Sequence, residues 1–494
     1  MDFFALEERL ASYGSGGYLF LEAFLTKLLQ IEAAQYGNEV NSLDTHTSLF
    51  DAVAPKGIGE LTTPVFIEFI FSATKDKFKL LSDSFRMHGK PGFGLLIIAP
   101  NMPESTQNHL THENDIPSRT PIIIWGEREV NGLMHKHKDE ADKLADSLFS
   151  LRLKMAATRP TKPWLEERDQ LINLVAERYR SGSFSLVLGA GVSSSAGLPD
   201  WNTLLNSLFV SMLAQENIGE DKSDTAQVSQ IVSRLMEVDG PSALMLARYI
   251  RKGLSVGSPT EQQGFIEAIT NQLYSLRNAE RPIESELITA VAQLCTPTRT
   301  GAKVRSILTY NFDDFIERAL SARGLVHKSI FEEFETPSSE ELPIYHVHGF
   351  LPEAREKYAN LDRCTLVFSE EGYHLIYRDA YHWSNLVQLN GFKETSCLMI
   401  GLSLTDPNLR RLLEIASKSI EKPKHFAFMR RLTSKKFKIG DRGHPLKIPN
   451  TMIDRFLDRH HSTNEELMRE LGVTLIWYED YSDIPKILDR IRGG

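Results

Sequence analysis

The sequence predicts an α/β protein of two domains, the larger one built on a mostly parallel sheet with helices on both faces. Three observations carry this. Short apolar runs bounded by Pro or Gly alternate with segments of helical period, which implies parallel strands under covering helices. At 494 residues the chain exceeds one average domain, and 41% hydrophobic content can fill more than one core. A stretch with two prolines, "ATRPTKPW" (157–164), reads as a linker and divides the chain into expected domains 1–158 and 159–494.

The front part opens with helical spacing, Leu21, Phe24, Leu25 and Leu28 falling on one face. "SLFDAVAP" (48–55) follows, then "TPVFIEFIF" (63–71), "GLLIIAP" (94–100) and "PIIIWGE" (121–127), the last three reading as buried strands. A helix through "DEADKLADSLFSLRLKMA" brings Leu144, Leu148, Leu151 and Met155 into register. After the linker, "LEERDQLINLVAERYRSG" makes a helix closed by Gly182. A strand and a glycine turn come next, in "SFSLVLGAGVSSSAGLPDW" (183–201). Residues 202 to about 300 read as a helical insertion. Further strands are expected in "VRSILTYNFDD" (304–314), "PIYHVHGF" (343–350), "CTLVF" (364–368), "SCLMIGLSL" (396–404), "KHFAFM" (424–429) and "VTLIWY" (473–478).

Composition narrows the function. A net charge of -9 argues against a generally basic nucleic-acid binder and leaves local nucleic-acid contact open. The basic-rich segment 418–461 reads as a solvated surface loop, with contact to a partner or an acidic ligand as the alternative. No secretory leader is expected from "MDFFALEERL", and "GYLFLEAFLTKLLQ" is interrupted by Glu22 and Lys27, so no membrane span is expected. Cys295, Cys364 and Cys397 stand far apart, which excludes a four-cysteine zinc ribbon and suits a reducing compartment. The expectation is a cytoplasmic protein.

The glycine turn raises the chemical question. A strand ending in Gly189-Ala190-Gly191 delivers the chain to the carboxyl edge of a parallel sheet, where open α/β folds bind ligands. Glycines there let the backbone approach a phosphate closely. A helix expected to start near Ser193 to Ser195 would add free amides and hydroxyls. The common GxGxxG fingerprint fails at Ser194, and no Walker lysine follows.

"GAGVSSSAGLPDW" resembles the signature of the sirtuin superfamily, GAGxS followed by a Gly-Leu-Pro-Asp type segment. Three further segments occur in that family's order: "TYNFDDF" (309–315), "YHVHGFL" (345–351) and "IGLSLTDPNL" (400–409). "FSEEGYHLIY" (368–377) and "LGVTLIWYEDYSDIPKIL" (471–488) are similar to the bacterial sirtuin-like branch, which includes antiphage effectors. The resemblance spans about 160–494 and implies a Rossmann-like, sirtuin-like sheet that binds NAD. It implies NAD contact by Gly189, Ala190, Gly191, Ser193, Ser194, Leu198, Pro199, Asp200, Asp313, Gly401, Ser403 and Leu404. Asn311 and His348 are the expected catalytic pair, with no metal. Asn311 would hold a water beside the ribose, His348 would serve as base or ribose partner, and Asp313 would orient Asn311 or offset cationic charge. His346 is expected to face away from the site, and Trp201 to pack beneath the turn.

Two departures favour breakdown of NAD by water over protein deacylation: the absent zinc cysteines, and Asn202 where deacylases carry arginine. NAD is then a substrate and no cofactor is required. Two alternatives stay open, a non-catalytic module sensing ADP-ribose-like nucleotides and an NAD-dependent deacylase. An effector of this branch also implies a homo-oligomer and a gate, such as a partner ATPase or a phage-derived activator, ending in abortive infection.

The front part, over about 15–155, resembles a Mrr-type PD-(D/E)XK restriction-endonuclease-like domain. Asp51 and Glu68 fit its carboxylates, but Ile70 stands at the lysine position, with Lys75 or Lys77 as substitutes from a later turn. The preferred expectation is a degenerate α/β fold used for sensing or assembly. An unrelated α/β domain and an active, Mg²⁺-dependent nuclease are the alternatives.

Overall fold

The computed structural model describes residues 2–43, 50–59, 61–72, 74–88, 90, 92–114, 121–158, 163–217, 230, 232, 234, 243–254, 261–418, 422–439 and 446–493. Most of the linker (159–162), the first residues of "SLFDAVAP" and parts of the helical insertion lie outside the described residues. The chain forms two compact units. The first comprises Met1–Leu174, Ser417–Pro423 and Thr433–Gly472, and the second comprises Val175–Ala416, Lys424–Leu432 and Val473–Gly494. The division at Leu174 falls inside the helix Trp164–Arg180.

The first unit has a five-stranded sheet in the order β1 (Asn41–Ser42), β2 (Ala52–Ala54), β3 (Val65–Phe69), β4 (Gly94–Ile98) and β5 (Ile122–Trp125). The first two pairings are antiparallel and the last two parallel. Period-two alternation divides β4 between two cores. Leu96 and Ile98 face the helix Tyr18–Gln35, whose Leu21, Phe24, Leu25 and Leu28 are buried as their spacing predicts. Leu95 and Ile97 face Phe78, Phe85 and Leu110 of the helices Lys75–His88 and Glu104–Asn114. The single helix expected over 139–156 is two, Lys138–Asp146 and Leu148–Thr158, parted at Ser147.

Antiparallel register puts Ala52 beside Ile67, and one residue further puts Asp51 opposite Glu68 on the same face. Neither expected substitute lysine joins them. The Lys77 ammonium bonds Ser72 instead, the side chain of Lys75 lies outside the described residues, and Ile70 is a core residue. The cation at the pair is Lys422, at 3.0 Å from Asp51 and 2.7 Å from Glu68. The basic-rich segment 418–461 is thus more than a solvated loop, although 419–421 and 440–445 lie outside the described residues. Its helix Asn450–Glu470 buries Ile453, Leu457 and His461.

The second unit is a seven-stranded sheet, every pairing parallel, in the order β12-β11-β10-β6-β7-β9-β8. Its strands are β6 (Phe184–Leu188), β7 (Val304–Thr309), β8 (His327–Ile330), β9 (Leu342–His346), β10 (Ser396–Ile400), β11 (His425–Arg430) and β12 (Val473–Tyr478). The Rossmann-like α/β class is as expected, with described helices between β6 and β7. Two details differ. His327–Ile330 forms an edge strand, its mixed polar sequence giving no buried-strand signal. "CTLVF" is not a strand: Cys364 Sγ accepts from the Phe350 N–H and the Val367 N–H donates to the His348 carbonyl, isolated bonds along a loop. Among the described residues no helix is long and apolar enough to cross a membrane.

Candidate active site

Strand order decides where a ligand can rest. From β6 the chain first builds outward through β7, β8 and β9, then returns to the other side of β6 with β10, β11 and β12. The reversal between β6 and β10 is a topological switch point, the place where open parallel sheets bind ligands at their carboxyl ends. The four motifs follow β6, β7, β9 and β10, four adjacent strands.

After β6, Gly189 caps a short helix, Ala190–Ser195, that starts earlier than the serines where it was expected. The glycines answer to packing as well as to any ligand. The Gly189 N–H donates to the Ile400 carbonyl and the Gly191 N–H to Gly401, each at 2.9 Å. A Cβ on Gly191 would lie 2.8 Å from the Gly401 Cα, and one on Gly189 2.4 Å from Leu402. Gly401 itself has φ +71°, and Leu404, buried, takes φ +57°, a costly angle for leucine. Ser403 is exposed and its hydroxyl pairs with Thr405 at 2.6 Å.

The remaining turn residues have visible local work. The Ser193 hydroxyl donates to Asp313 at 2.5 Å, and the other Asp313 oxygen accepts from the Phe315 N–H. Asp313 therefore ties the turn to the β7 loop and does not bond Asn311 as one expectation had it. Burial pushes its carboxyl up to about 6, against the pull of the Ser193 and Phe315 hydrogen bonds. The Ser194 carbonyl accepts from Arg281. Leu198 is buried, Pro199 half-buried, and exposed Asp200 caps the helix Trp201–Asn217 through the Thr203 N–H. Trp201 stacks at a tilt on Phe368, 4.6 Å away.

The β7 and β9 loops run together. The Val347 N–H donates to Thr309 and the Leu351 N–H to Phe312, while the Tyr310 N–H donates back to Leu188 of β6. On this scaffold Asn311 and His348 are each 7% exposed. Asn311 Oδ1 and His348 Nε2 are buried and have no hydrogen-bond partner, unusual for groups that normally find one. Burial holds the His348 imidazole below its ordinary value, and the Asp406 carboxylate 3.7 Å away offsets this only in part.

His346 and His348 would share a face if β9 continued through both. The strand ends at His346 and Gly349 turns at φ +116°, so they part. His346 goes inward, Nδ1 donating to the Asn311 carbonyl at 3.2 Å and Nε2 lying 2.7 Å from Glu317. It braces the Asn311 backbone.

Three groups escaped the sequence reading. Asp406 faces His348 and accepts from the Tyr373 hydroxyl, and the Tyr310 ring packs edge-on to His348 at 4.5 Å. Asp406 sits in the quoted "GLSLTDPNL", where an Asp before Pro reads as a helix cap. It is that cap too, through the Leu409 N–H at 2.7 Å. Tyr373 lies in "FSEEGYHLIY", quoted as a motif but not assigned a role.

Comparison with known proteins agrees with this architecture. Residues 305–440 match the family described as a SIR2-like domain, a span holding Asn311, His348 and Gly401 but not the glycine turn. The NAD(+) hydrolase ThsA of Enterococcus faecium is 22% identical over 341 residues, which cover 66% of this chain and 58% of that protein. The chain therefore matches less than two thirds of that relative's length.

Proposed function

We propose that the second unit hydrolyses NAD to ADP-ribose and nicotinamide. One observation carries the reading: Asn311 and His348, on neighbouring loops at the carboxyl edge beside the switch point, each bury a polar atom that makes no hydrogen bond. The match to a SIR2-like domain and the similarity to a protein named as an NAD(+) hydrolase support it.

The chemistry follows from the substrate. The nicotinamide of NAD is cationic while attached, so the C1′–N bond breaks with its electron pair going to a neutral leaving group. The ribosyl cation that remains takes a water oxygen at C1′. Asn311 Oδ1 is the acceptor that holds this water, and His348 takes its proton before releasing it to solvent. Burial suits His348 to that task, because a depressed pKa keeps the imidazole neutral at pH 7. Asp406 and Tyr373 position the ring. The glycine turn, Ser193 and Ser194 receive the diphosphate, and Gly401, Ser403 and Leu404 border the adenosine side. The wider role, a gated homo-oligomeric effector that depletes NAD during phage infection, rests on the sirtuin-like resemblance.

The test is direct. Purified protein incubated with NAD, under activating conditions, releases nicotinamide and ADP-ribose by chromatography, and His348→Ala and Asn311→Ala each lower the rate about 10²–10⁴-fold. Unchanged turnover in both variants defeats the assignment. Tight NAD or ADP-ribose binding without turnover in the wild type favours a sensing module.

A further inference from the structure

The helical insertion ends in a short segment that touches three of the four motif loops. Tyr274 stands in the last turn of the helix Glu261–Ser275, and the loop after it leads to Ser285, which caps the helix Glu286–Leu294. The Tyr274 hydroxyl donates to the Leu351 carbonyl of the β9 loop at 2.8 Å. Three donors from the loop meet the closing end of the short helix after β6. Arg281 donates to the Ser194 carbonyl at 2.9 Å, Arg277 Nε to Ala196 at 3.0 Å and the Asn278 N–H to Gly197 at 2.8 Å. The Arg277 guanidinium also lies over the Phe315 ring of the β7 motif, 5.7 Å from its centre.

These contacts meet a need of the turn. A helix of six residues has little cooperative stability of its own, and its last carbonyls lack amide partners within it. The fit is close: Gly197 has φ +93°, and a Cβ there would stand 2.4 Å from the Asn278 carbonyl oxygen. Arg277 does more than satisfy an acceptor, because it closes a circuit. The Ser193 hydroxyl donates to Asp313, Asp313 accepts from the Phe315 N–H, the Phe315 ring faces Arg277, and Arg277 returns to Ala196. The Ala196 N–H then donates to the Ser193 carbonyl at 3.0 Å. Arg318 covers the same ring at 5.5 Å, but its ion pairs are with Asp314 and Glu353. Of the two guanidinium groups, Arg277 is the one that also bonds the turn.

We propose, on the strength of the NAD reading, that Arg277 is a positioning residue for NAD cleavage, holding the glycine turn at a fixed separation from the β7 motif that carries Asn311. A diphosphate seated at the turn then delivers the C1′–N bond to Asn311 and His348. A misplacement of about 1 Å between the two ends costs on the order of 100-fold in rate. Lysine cannot take this place, since it has no planar fork to bond the Ala196 carbonyl while covering Phe315. Through Tyr274 and Arg277 the insertion becomes part of the frame of the site.

The experiment compares two substrates with the same scissile bond, NAD and nicotinamide riboside, which has no phosphate and makes no use of the turn. In Arg277→Met, kcat/KM for NAD falls about 10–100-fold while cleavage of the riboside holds, and Arg277→Lys behaves like Arg277→Met. Equal losses on both substrates mean general damage to the fold and overturn the proposal, as does unchanged NAD turnover. Backbone amide exchange read by mass spectrometry needs no turnover. In Arg277→Met, peptides covering 189–200 and 309–316 exchange faster together, while those of β11 and β12 hold. Faster exchange in the turn alone overturns the link to the β7 motif. That pattern also decides where the riboside proves too poor a substrate to measure, and Arg277→Lys supplies both readings if Arg277→Met does not fold. Wild type that cleaves no NAD under any activating condition defeats the NAD reading, and the exchange pattern then judges the circuit by itself.

Discussion

Both units bury carboxylates at the ends of strands, and they accommodate them by different means. In the second unit Asp313 bonds a neutral hydroxyl and a backbone amide, and burial raises its pKa toward neutrality. In the first, Asp51 and Glu68 share a lysine ammonium. The partners of Asp313 come from loops after adjacent parallel strands, so its environment is made by the sheet. Asp51 also accepts from a nearby backbone amide, that of Phe69, but its charged partner arrives from 371 residues away. The difference teaches where function is readable: a parallel sheet collects successive motifs at one edge, while a cluster closed by a distant segment leaves no local trace.

The largest expected effect probes the uncharged environment of Asp313. A raised native pKa means that Asp313 contributes stability below its unfolded value near 3.8, and this is lost as pH rises through about 6. Against Asp313→Asn, which does not titrate, wild-type stability falls by up to about 3 kcal/mol between pH 4 and 7, read by urea unfolding. A constant difference across that range would mean that Asp313 does not change its protonation there, and would erase the contrast. Next comes Gly191→Ala, whose Cβ meets the Gly401 backbone. It is expected to cost about 1–3 kcal/mol and to abolish NAD turnover, because neither backbone can yield cheaply. Wild-type stability would show that the glycine serves a ligand and not the fold.

Asp406→Asn tests whether the edge works as a unit. Its carboxylate lifts the His348 pKa, so its removal should move the acid limb of the rate profile to lower pH and reduce kcat about 10-fold. An unmoved limb would detach Asp406 from the site. The smallest effect is Asp200→Ala, about 1 kcal/mol from a lost helix cap with the turnover retained. Lost turnover there would show a ligand role beyond the cap.

Most of the second unit was legible because its strands are short apolar runs and its motifs each end one. The failures have local causes. His327–Ile330 joins the sheet at an edge, where partial burial imposes no apolar pattern. "CTLVF" is apolar because Cys364 packs with Phe331 and Phe350 and Val367 with Tyr373 and Ile376, and burial without a ladder looks like a strand in sequence. Asp406 hid behind its own cap role, since one oxygen caps the helix and the other faces Tyr373 and His348. Leu404 gave no sign of its left-handed backbone. In the first unit the carboxylates were visible and their cation was not, because spacing along the chain says nothing about a lysine returning from beyond another sheet's strands.

That return also sets a clock on synthesis. A ribosome adding about 5–20 residues per second takes about 20–70 s to travel from Asp51 to Lys422. Through that interval the strands of the first sheet exist with their two acids unmatched. Until Lys422 emerges the pair lacks this ammonium, and burial of Glu68, which pushes its carboxyl above the ordinary range, favours a bound proton in its place.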